Sequence, residues 1–325
     1  MKHFTHIADV GRRGAYELIE RAQYLKRDGL GERFSDRLLA MLFFNPSLRT
    51  RASFEAAMVR GGGNALVFDV GKGLWPLETV DGTVMNGDKS EHIREAAPVL
   101  GRYADALAVR SFAKLEDHDV DHADKLMRSF REFAGVPVVN MESAREHPCQ
   151  GLADLLTLRE TFGDLRGLPV TLTWAPHIKP LPRAVPNSFL LTAVALGCKV
   201  SVAYPPGFAL HEGVLAEARK LSFAGGGHFR VTHDQQAALE GAAAVYAKSW
   251  GPKSEADVTA FPDWSITPEH LRTASGDAFF MHCLPVRRNL VAADAVLNSE
   301  PKKFLDQAEN RMHVQAAVLD WLWNG

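Results

Sequence analysis

Residues 39–44, Leu-Ala-Met-Leu-Phe-Phe, form an unbroken apolar run of strand length. A strand with one wet face alternates apolar and polar residues. An unbroken run belongs to a strand covered on both faces, and so to a parallel sheet flanked by helices. Asn45-Pro46 ends the run, because proline disfavours helix in the residue before it and presets a turn. Ser47 then stands where an N-cap belongs, ahead of Ala52-Ser53-Phe54-Glu55-Ala56-Ala57-Met58. The stretch reads as strand, turn, helix.

The same alternation recurs along the chain. Helical periodicity covers residues 14–26, through Tyr16, Leu18, Ile19, Ala22 and Leu25. Strands are predicted at 65–69, 106–110 and 136–141, with helices at about 92–103 and 124–133 between them. The second half predicts helices at 149–162, 187–196 and 212–224, strands at 170–174, 199–204, 229–232, 244–247 and 278–282, and a closing helix at 307–323. Residues 250–264, with Gly251, Pro252 and Pro262, read as irregular chain and a candidate lid. A chain of 325 residues is long for one core. The expected fold is α/β: two doubly wound parallel-sheet domains with helices on both faces. The boundary falls near 141–147, giving domains at 1–143 and 144–305, with a C-terminal helix at 306–325 returning to the first.

Composition narrows the function. The net charge is −2, so no broad field for nucleic acid or membrane is expected. Cys149, Cys198 and Cys283 form no C-x-x-C pair, against a zinc ribbon or a disulfide framework. The start of the chain lacks the apolar core of a signal peptide, and nothing approaches the roughly 20 apolar residues of a membrane span. A cytoplasmic enzyme is expected. Gly61-Gly62-Gly63 follows a helix rather than a strand, and no G-x-x-x-x-G-K-[ST] loop occurs, against a dinucleotide-binding dehydrogenase or a P-loop NTPase.

In open α/β sheets ligands bind beyond the carboxyl ends of strands. Arg110, Glu142, His147, Lys248 and Cys283 all fall at or just after predicted strand ends. A helix N-terminus leaves N–H groups unpaired and attracts anions. The one at Ser47 also carries Arg49, Thr50 and Arg51, and guanidinium forks suit phosphate oxygens. Taken singly, a His, a strand-end Cys or an Arg is more often structural.

Three strings carry a resemblance. Ser47-Leu48-Arg49-Thr50-Arg51, His147-Pro148-Cys149-Gln150 and His282-Cys283-Leu284-Pro285 stand in the order and βα context of the aspartate/ornithine carbamoyltransferase family. The resemblance covers essentially the whole chain. It implies carbamoyl phosphate bound by Ser47, Leu48, Arg49, Thr50, Arg110, His147, Gln150, Leu284 and Arg311, with Trp75 supplied by a neighbouring subunit. Arg49, Thr50, Arg110, His147, Gln150 and Cys283 are the implied catalytic group. His147 would polarise the carbonyl, Gln150 hold the carbamoyl nitrogen, and Cys283 with the Leu284 carbonyl orient the amine without covalent attack. No metal and no organic cofactor are implied. A homotrimer with shared active sites is.

The acceptor site departs from the ornithine enzymes, which carry an acidic Asp-x-x-x-Ser-Met-Gly type motif suited to a free α-ammonium. Here the string is Tyr246-Ala247-Lys248-Ser249-Trp250, and Lys248 repels an ammonium and favours a carboxylate. The chain thus resembles the acylornithine branch, also through Trp75, Glu142 and Thr173–His177. Glu142, Lys248, His177, Cys283 and Leu284 would hold the acylornithine. Ser90 stands where the acetyl-specific members carry Glu and the succinyl-specific ones a small uncharged residue. A Glu would repel a succinyl carboxylate and Ser90 would not, so the expected reaction is carbamoylation of N-succinyl-L-ornithine to N-succinyl-L-citrulline in arginine biosynthesis. N-acetyl-L-ornithine is the alternative acceptor, and a non-catalytic carbamoyl-phosphate-binding homologue the second alternative.

Overall fold

The computed structural model describes residues 1–251 and 259–325. The first half runs α1 (Gly11–Asp28), β1 (Leu38–Phe43), α2 (Leu48–Arg60), β2 (Asn64–Asp69), β3 (Leu77–Glu78), β4 (Glu91–His92), α3 (Ile93–Tyr103), β5 (Ala106–Arg110), α4 (His118–Ala123), α5 (Lys125–Phe133) and β6 (Val138–Glu142). The second runs α6 (Pro148–Phe162), β7 (Pro169–Trp174), α7 (Ala184–Ala195), β8 (Lys199–Ala203), α8 (Glu212–Gly225), β9 (His228–Thr232), α9 (Gln235–Leu239), β10 (Ala244–Lys248), α10 (Pro268–Thr273), β11 (Phe279–Met281), α11 (Asp294–Ser299) and α12 (Pro301–Asn324).

Two parallel sheets result, ordered β2-β1-β5-β6 and β11-β10-β7-β8-β9. Successive residues of a strand face opposite sides of the sheet. In β1, Leu39, Met41 and Phe43 enter one core with Ala15, Leu18, Phe54 and Leu152, while Ala40 and Leu42 enter another with Ile93, Met127 and Phe130. Both faces are dry, which is why the run is apolar throughout. The second sheet is covered likewise: Leu172, Val202 and Tyr246 face Phe189 and Val194, and Val245, Ala247 and Phe280 face Leu239, Ile266 and Val296. The α/β architecture with helices on both sheet faces is thus as expected.

The boundaries that differ have local causes. Glu142 belongs to β6 because it pairs with Arg110 of β5 after a one-residue register shift that skips Met141. Helix α7 begins at Ala184 rather than 187, since Pro186 lies in its first turn, where no N–H is required. Helix α12 also starts earlier than periodicity indicates, at Pro301. The short helices α4, α9, α10 and α11 and the two-residue β3–β4 ladder were too brief for periodicity to register. Of the candidate lid at 250–264, residues 252–258 lie outside the described residues; Pro262–Trp264 is a single 3-10 turn. Among the described residues no helix is long and apolar enough to cross a membrane.

Helix α6 leads from the first sheet into the second and is buried along most of its length. It packs against α1, α7 and α12. Gly151 permits the approach to α7: a Cβ there would lie 2.6 Å from Thr192 Oγ1 and 2.8 Å from the Ser188 carbonyl oxygen. The turn from β6 into α6 is held by buried polar groups. Asn140 Nδ2 donates to the Thr5 carbonyl (2.8 Å), Ser143 Oγ to Asp124 Oδ2 (2.5 Å), and Ile7 N–H to Glu146 Oε2 (3.0 Å).

Burial, reinforced by the nearby Glu217, pushes the Glu146 carboxyl up to about 8, against the pull of Arg145. An unfolded glutamate titrates near 4.5. Between these values the native chain binds more protons than the unfolded one, so stability falls as pH rises through the window. Glu146→Gln keeps an acceptor for Ile7 and cannot ionise. Its stability relative to wild type is expected to grow between about pH 5 and about pH 9 in denaturant titrations, and identical pH slopes for the two proteins would refute this.

Candidate active site

Each sheet reverses its strand order once. From β1 the chain moves outward to β2 and then back to β5 on the other side of β1; from β7 it moves through β8 to β9 and then back to β10 on the other side of β7. At such a reversal the connections leave in opposite directions, opening a crevice at the strand ends. The loops after β1, β5, β7 and β10 all line one cavity of about 610 Å³ between the sheets.

One end of the cavity is an anion cradle. Ser47 is extended (φ −157°) and its Oγ accepts the Thr50 N–H at 3.3 Å, so Ser47 caps α2. Arg49 and Arg110 line the wall with Arg311, which arrives from α12. Arg311 Nη2 donates to Thr50 Oγ1 at 2.6 Å. Because that hydroxyl oxygen accepts from Arg311, its proton is free to donate elsewhere. Arg110 Nη1 donates to Glu142 Oε2 at 2.5 Å, and its guanidinium lies 4.6 Å from the Phe112 ring centre. Burial, then the neighbouring Arg110 and Arg49, lower Arg311 to about 10, which leaves it charged at neutral pH. The Nε atoms of Arg49, Arg110 and Arg311 are buried and have no hydrogen-bond partner among the described residues. Such orphaned donors mark a place made for a ligand. Arg51 is turned elsewhere, paired with Asp69 and lying over Phe43.

His147 precedes Pro148, the first residue of α6, and its backbone N–H donates to Ser188 Oγ at 2.7 Å. Burial and the charges of Arg311, Arg110 and Arg49 hold its imidazole well below the usual range. The ring is therefore neutral at physiological pH and donates one N–H. Gln150 Nε2 donates to Asp154 Oδ1 at 2.7 Å, and Gln150 Oε1 has no partner among the described residues.

The other end is built on the second sheet. Lys248 closes β10, in register with Trp174 at the end of β7. Arg287 Nε donates to His177 Nε2 at 3.1 Å. The other ring nitrogen, Nδ1, lies 2.9 Å from the Lys179 carbonyl oxygen and 3.2 Å from the Lys179 N–H. Cys283 and Leu284 follow β11, and Leu284 has φ 54°, a region that costs a branched residue energy and clusters at functional sites. Burial pushes the Cys283 thiol up, outweighing the pull of Lys248. Among the described residues no group of three or more His, Cys, Asp or Glu side chains is placed to hold a metal ion.

The cavity thus gathers Ser47, Leu48, Arg49, Thr50, Arg110, Glu142, His147, Gln150, His177, Lys248, Cys283, Leu284 and Arg311. It does not gather Trp75 or Ser90. Both are exposed, and Trp75 Nε1 donates to Glu91 Oε2 at 2.9 Å. Sequence reasoning missed Arg287, Lys179 and Phe112. A signal existed for Arg287, a cation two residues beyond the His282–Pro285 string; Phe112 and Lys179 gave none.

An anion cradle, a neutral imidazole at its edge and a cationic far wall make an arrangement able to set an anionic donor against a second, carboxylate-bearing molecule. Residues 2–160 match the carbamoyl-P binding domain of aspartate/ornithine carbamoyltransferase, and residues 183–322 its Asp/Orn binding domain. The chain belongs to the aspartate/ornithine carbamoyltransferase family, enzymes of the transferase class. It is 42% identical to N-acetylornithine carbamoyltransferase of Xanthomonas campestris pv. campestris, over 98% of this chain and 97% of the relative. It is 38% identical to N-succinylornithine carbamoyltransferase of Bacteroides thetaiotaomicron, over 100% and 99%. A solved N-acetyl-L-ornithine transcarbamylase, with one glutamate replaced by alanine and complexed with carbamyl phosphate and N-succinyl-L-norvaline, superposes with a TM-score of 0.95 at 41% identity, covering 99% of this chain and 100% of that one.

The raised thiol of Cys283 gives a direct check. At neutral pH it is expected to react with iodoacetamide at least about tenfold more slowly than a free cysteine, followed by mass spectrometry. Alkylation at the free-thiol rate would contradict a Cys283 thiol raised above the ordinary value.

Proposed function

We propose that this enzyme transfers the carbamoyl group of carbamoyl phosphate to the δ-amine of N-succinyl-L-ornithine, giving N-succinyl-L-citrulline and phosphate for arginine biosynthesis. The observation that carries the reading is the meeting, in one cavity, of the Arg49–Arg110–Arg311 cradle with the cationic wall of Lys248 and Arg287. The first fits a phosphate dianion, the second the α-carboxylate of an acceptor whose α-amine is acylated and uncharged. Residues 1–143 are the carbamoyl-phosphate half, 144–305 the acylornithine half, and the last helix returns to the first half to deliver Arg311.

Carbamoyl phosphate lies with its phosphate on Ser47, the start of α2, Arg49 and Arg110. Neutralised there, phosphate becomes a better leaving group. The Thr50 hydroxyl, Arg110 and the neutral His147 N–H donate to the carbonyl oxygen, where negative charge grows as the amine attacks. The neutral δ-amine adds to the carbonyl carbon, the C–O bond to phosphate breaks, and the departing phosphate takes the amine proton. Positioning two reactants supplies much of the rate. Glu142, His177, Lys248, Cys283 and Leu284 orient the acceptor.

Ser90 supports the succinyl acceptor, since a small neutral residue there spares a second carboxylate from repulsion. The neighbour carrying a glutamate-to-alanine change together with a succinyl ligand is consistent with that logic. The acetyl acceptor is the second reading, favoured by the higher identity to the acetylornithine relative. Ser90 and Trp75 reach a site only across a subunit contact. The exposed Trp75, Val80, Val84 and Met85 support a homotrimer in which this loop enters a neighbour's cavity.

The test offers ornithine, N-acetylornithine and N-succinylornithine in parallel with carbamoyl phosphate. Turnover of the succinyl compound is expected; preference for the acetyl compound would transfer the assignment to the second reading, and no turnover would leave a binding protein. Arg49→Ala is expected to lose on the order of 2–4 kcal/mol in kcat/KM, as for other donors aimed at developing charge. Near-wild-type turnover would remove Arg49 from the mechanism. Light scattering should report a trimer, and a functional monomer would end the assignment of Trp75 and Ser90.

A further inference from the structure

Asp154 lies four residues beyond Gln150 on α6, completely buried, and is not among the residues lining the cavity. Its Oδ1 accepts two side-chain amides, Gln150 Nε2 at 2.7 Å and Gln307 Nε2 of α12 at 2.6 Å. Gln307 is held at its other end as well, its Oε1 accepting the His282 N–H at 3.2 Å. One carboxyl thus ties together the starting turn of α6, the last helix and the backbone just ahead of Cys283 and Leu284.

A primary amide is a donor at one end and an acceptor at the other. With its nitrogen turned toward Asp154, Gln150 presents its oxygen as the acceptor for any other partner. That oxygen is buried and has none among the described residues. Reversing the amide would set oxygen against oxygen, an arrangement no proton bridges while Oδ1 already receives the Gln307 amide. Burial pushes the Asp154 carboxyl up to about 7, held back by the two amide donors. A proton present there occupies Oδ2, which receives neither amide, so Oδ1 accepts in both protonation states. The direction of the Gln150 amide is therefore fixed from behind.

We infer that Asp154 is a positioning residue that holds the Gln150 amide with its oxygen toward the donor substrate, so that the cavity selects an acyl phosphate bearing –NH2 rather than –CH3 on its carbonyl carbon. The inference rests on the carbamoyl-transfer reading and deepens it. A carbamoyl nitrogen supplies the N–H that Gln150 Oε1 needs. A methyl group supplies nothing and leaves that oxygen buried and unpaired, which costs more than a lost hydrogen bond in water.

The experiment measures affinities of the full-length protein for carbamoyl phosphate, acetyl phosphate and inorganic phosphate by calorimetry. Wild type is expected to bind carbamoyl phosphate more tightly than acetyl phosphate; equal affinities overturn the inference outright. Asp154→Leu, with the same branched heavy-atom skeleton but without an acceptor, is expected to shrink that ratio by about tenfold while phosphate affinity stays unchanged. Asp154→Asn, which keeps an acceptor oxygen, should retain the ratio to within about threefold. Should Asp154→Leu fail to fold, Asp154→Ser, with a hydroxyl too short to reach Gln150, serves in its place. A wild-type ratio in a folded Leu or Ser variant, or an equal loss for all three ligands, overturns the assignment. Failure of wild type to carbamoylate any of the three amines would instead overturn the proposed function, while the binding ratio would still decide the role of Asp154.

Discussion

Like charges held close together in a dry place are the constraint around which this structure is arranged. Arg49, Arg110 and Arg311 share one cavity wall, and Glu142 is the one carboxylate among the described residues of that wall. Arg110 and Arg311 are buried and Arg49 is half-buried, and each raises the cost of the others. The fold tolerates this because each comes from a different rigid element: the first turn of α2, the end of β5 and the middle of the last helix. None can retreat to solvent without unpacking a core. The partners they do have, Thr50 and Glu142, are themselves elements of the site. An arriving dianion replaces repulsion with attraction, so binding energy is stored in the empty protein as unrelieved electrostatic cost.

The same field decides what the neighbouring groups are. A buried histidine beside three guanidinium groups does not take up a second proton, so the His147 ring stays neutral with one N–H to donate. Cys283 feels two cations, Lys248 and Arg49, and yet remains a thiol, because burial outweighs them. Two residues often read as a base and a nucleophile are both converted by their surroundings into hydrogen-bond donors. The acyl transfer proposed above, driven by positioning and charge stabilisation, asks neither of them to act as base or nucleophile.

Much of this was legible in the sequence, and the illegible part has a pattern. The unbroken run in β1 announced a sheet covered on both faces, and Ser47 announced its cap. Arg110, Glu142, His147, Lys248 and Cys283 could be grouped because strand ends converge in any such fold. Arg287 and Phe112 escaped because they sit on loops, where no period relates spacing to direction. Asp154 escaped for the opposite reason: in a helix apolar on nearly all sides, a lone carboxyl looks like an exception to be tolerated, and only its two amide partners, one of them from α12, reveal its use. Trp75 and Ser90 have sequence assignments that a single chain has no means to display.

The Arg311–Thr50 contact joins positions 261 residues apart. A polypeptide leaves the ribosome N-terminus first, so β1 and α2 are in place long before the guanidinium that completes their pocket has been translated. Such distant pairings form late, because a long loop must close before they are rewarded. The Arg311 guanidinium therefore joins the wall beside Thr50 only once α12 has docked on α2, so two stretches from opposite ends of the described chain must pack together before that wall is complete.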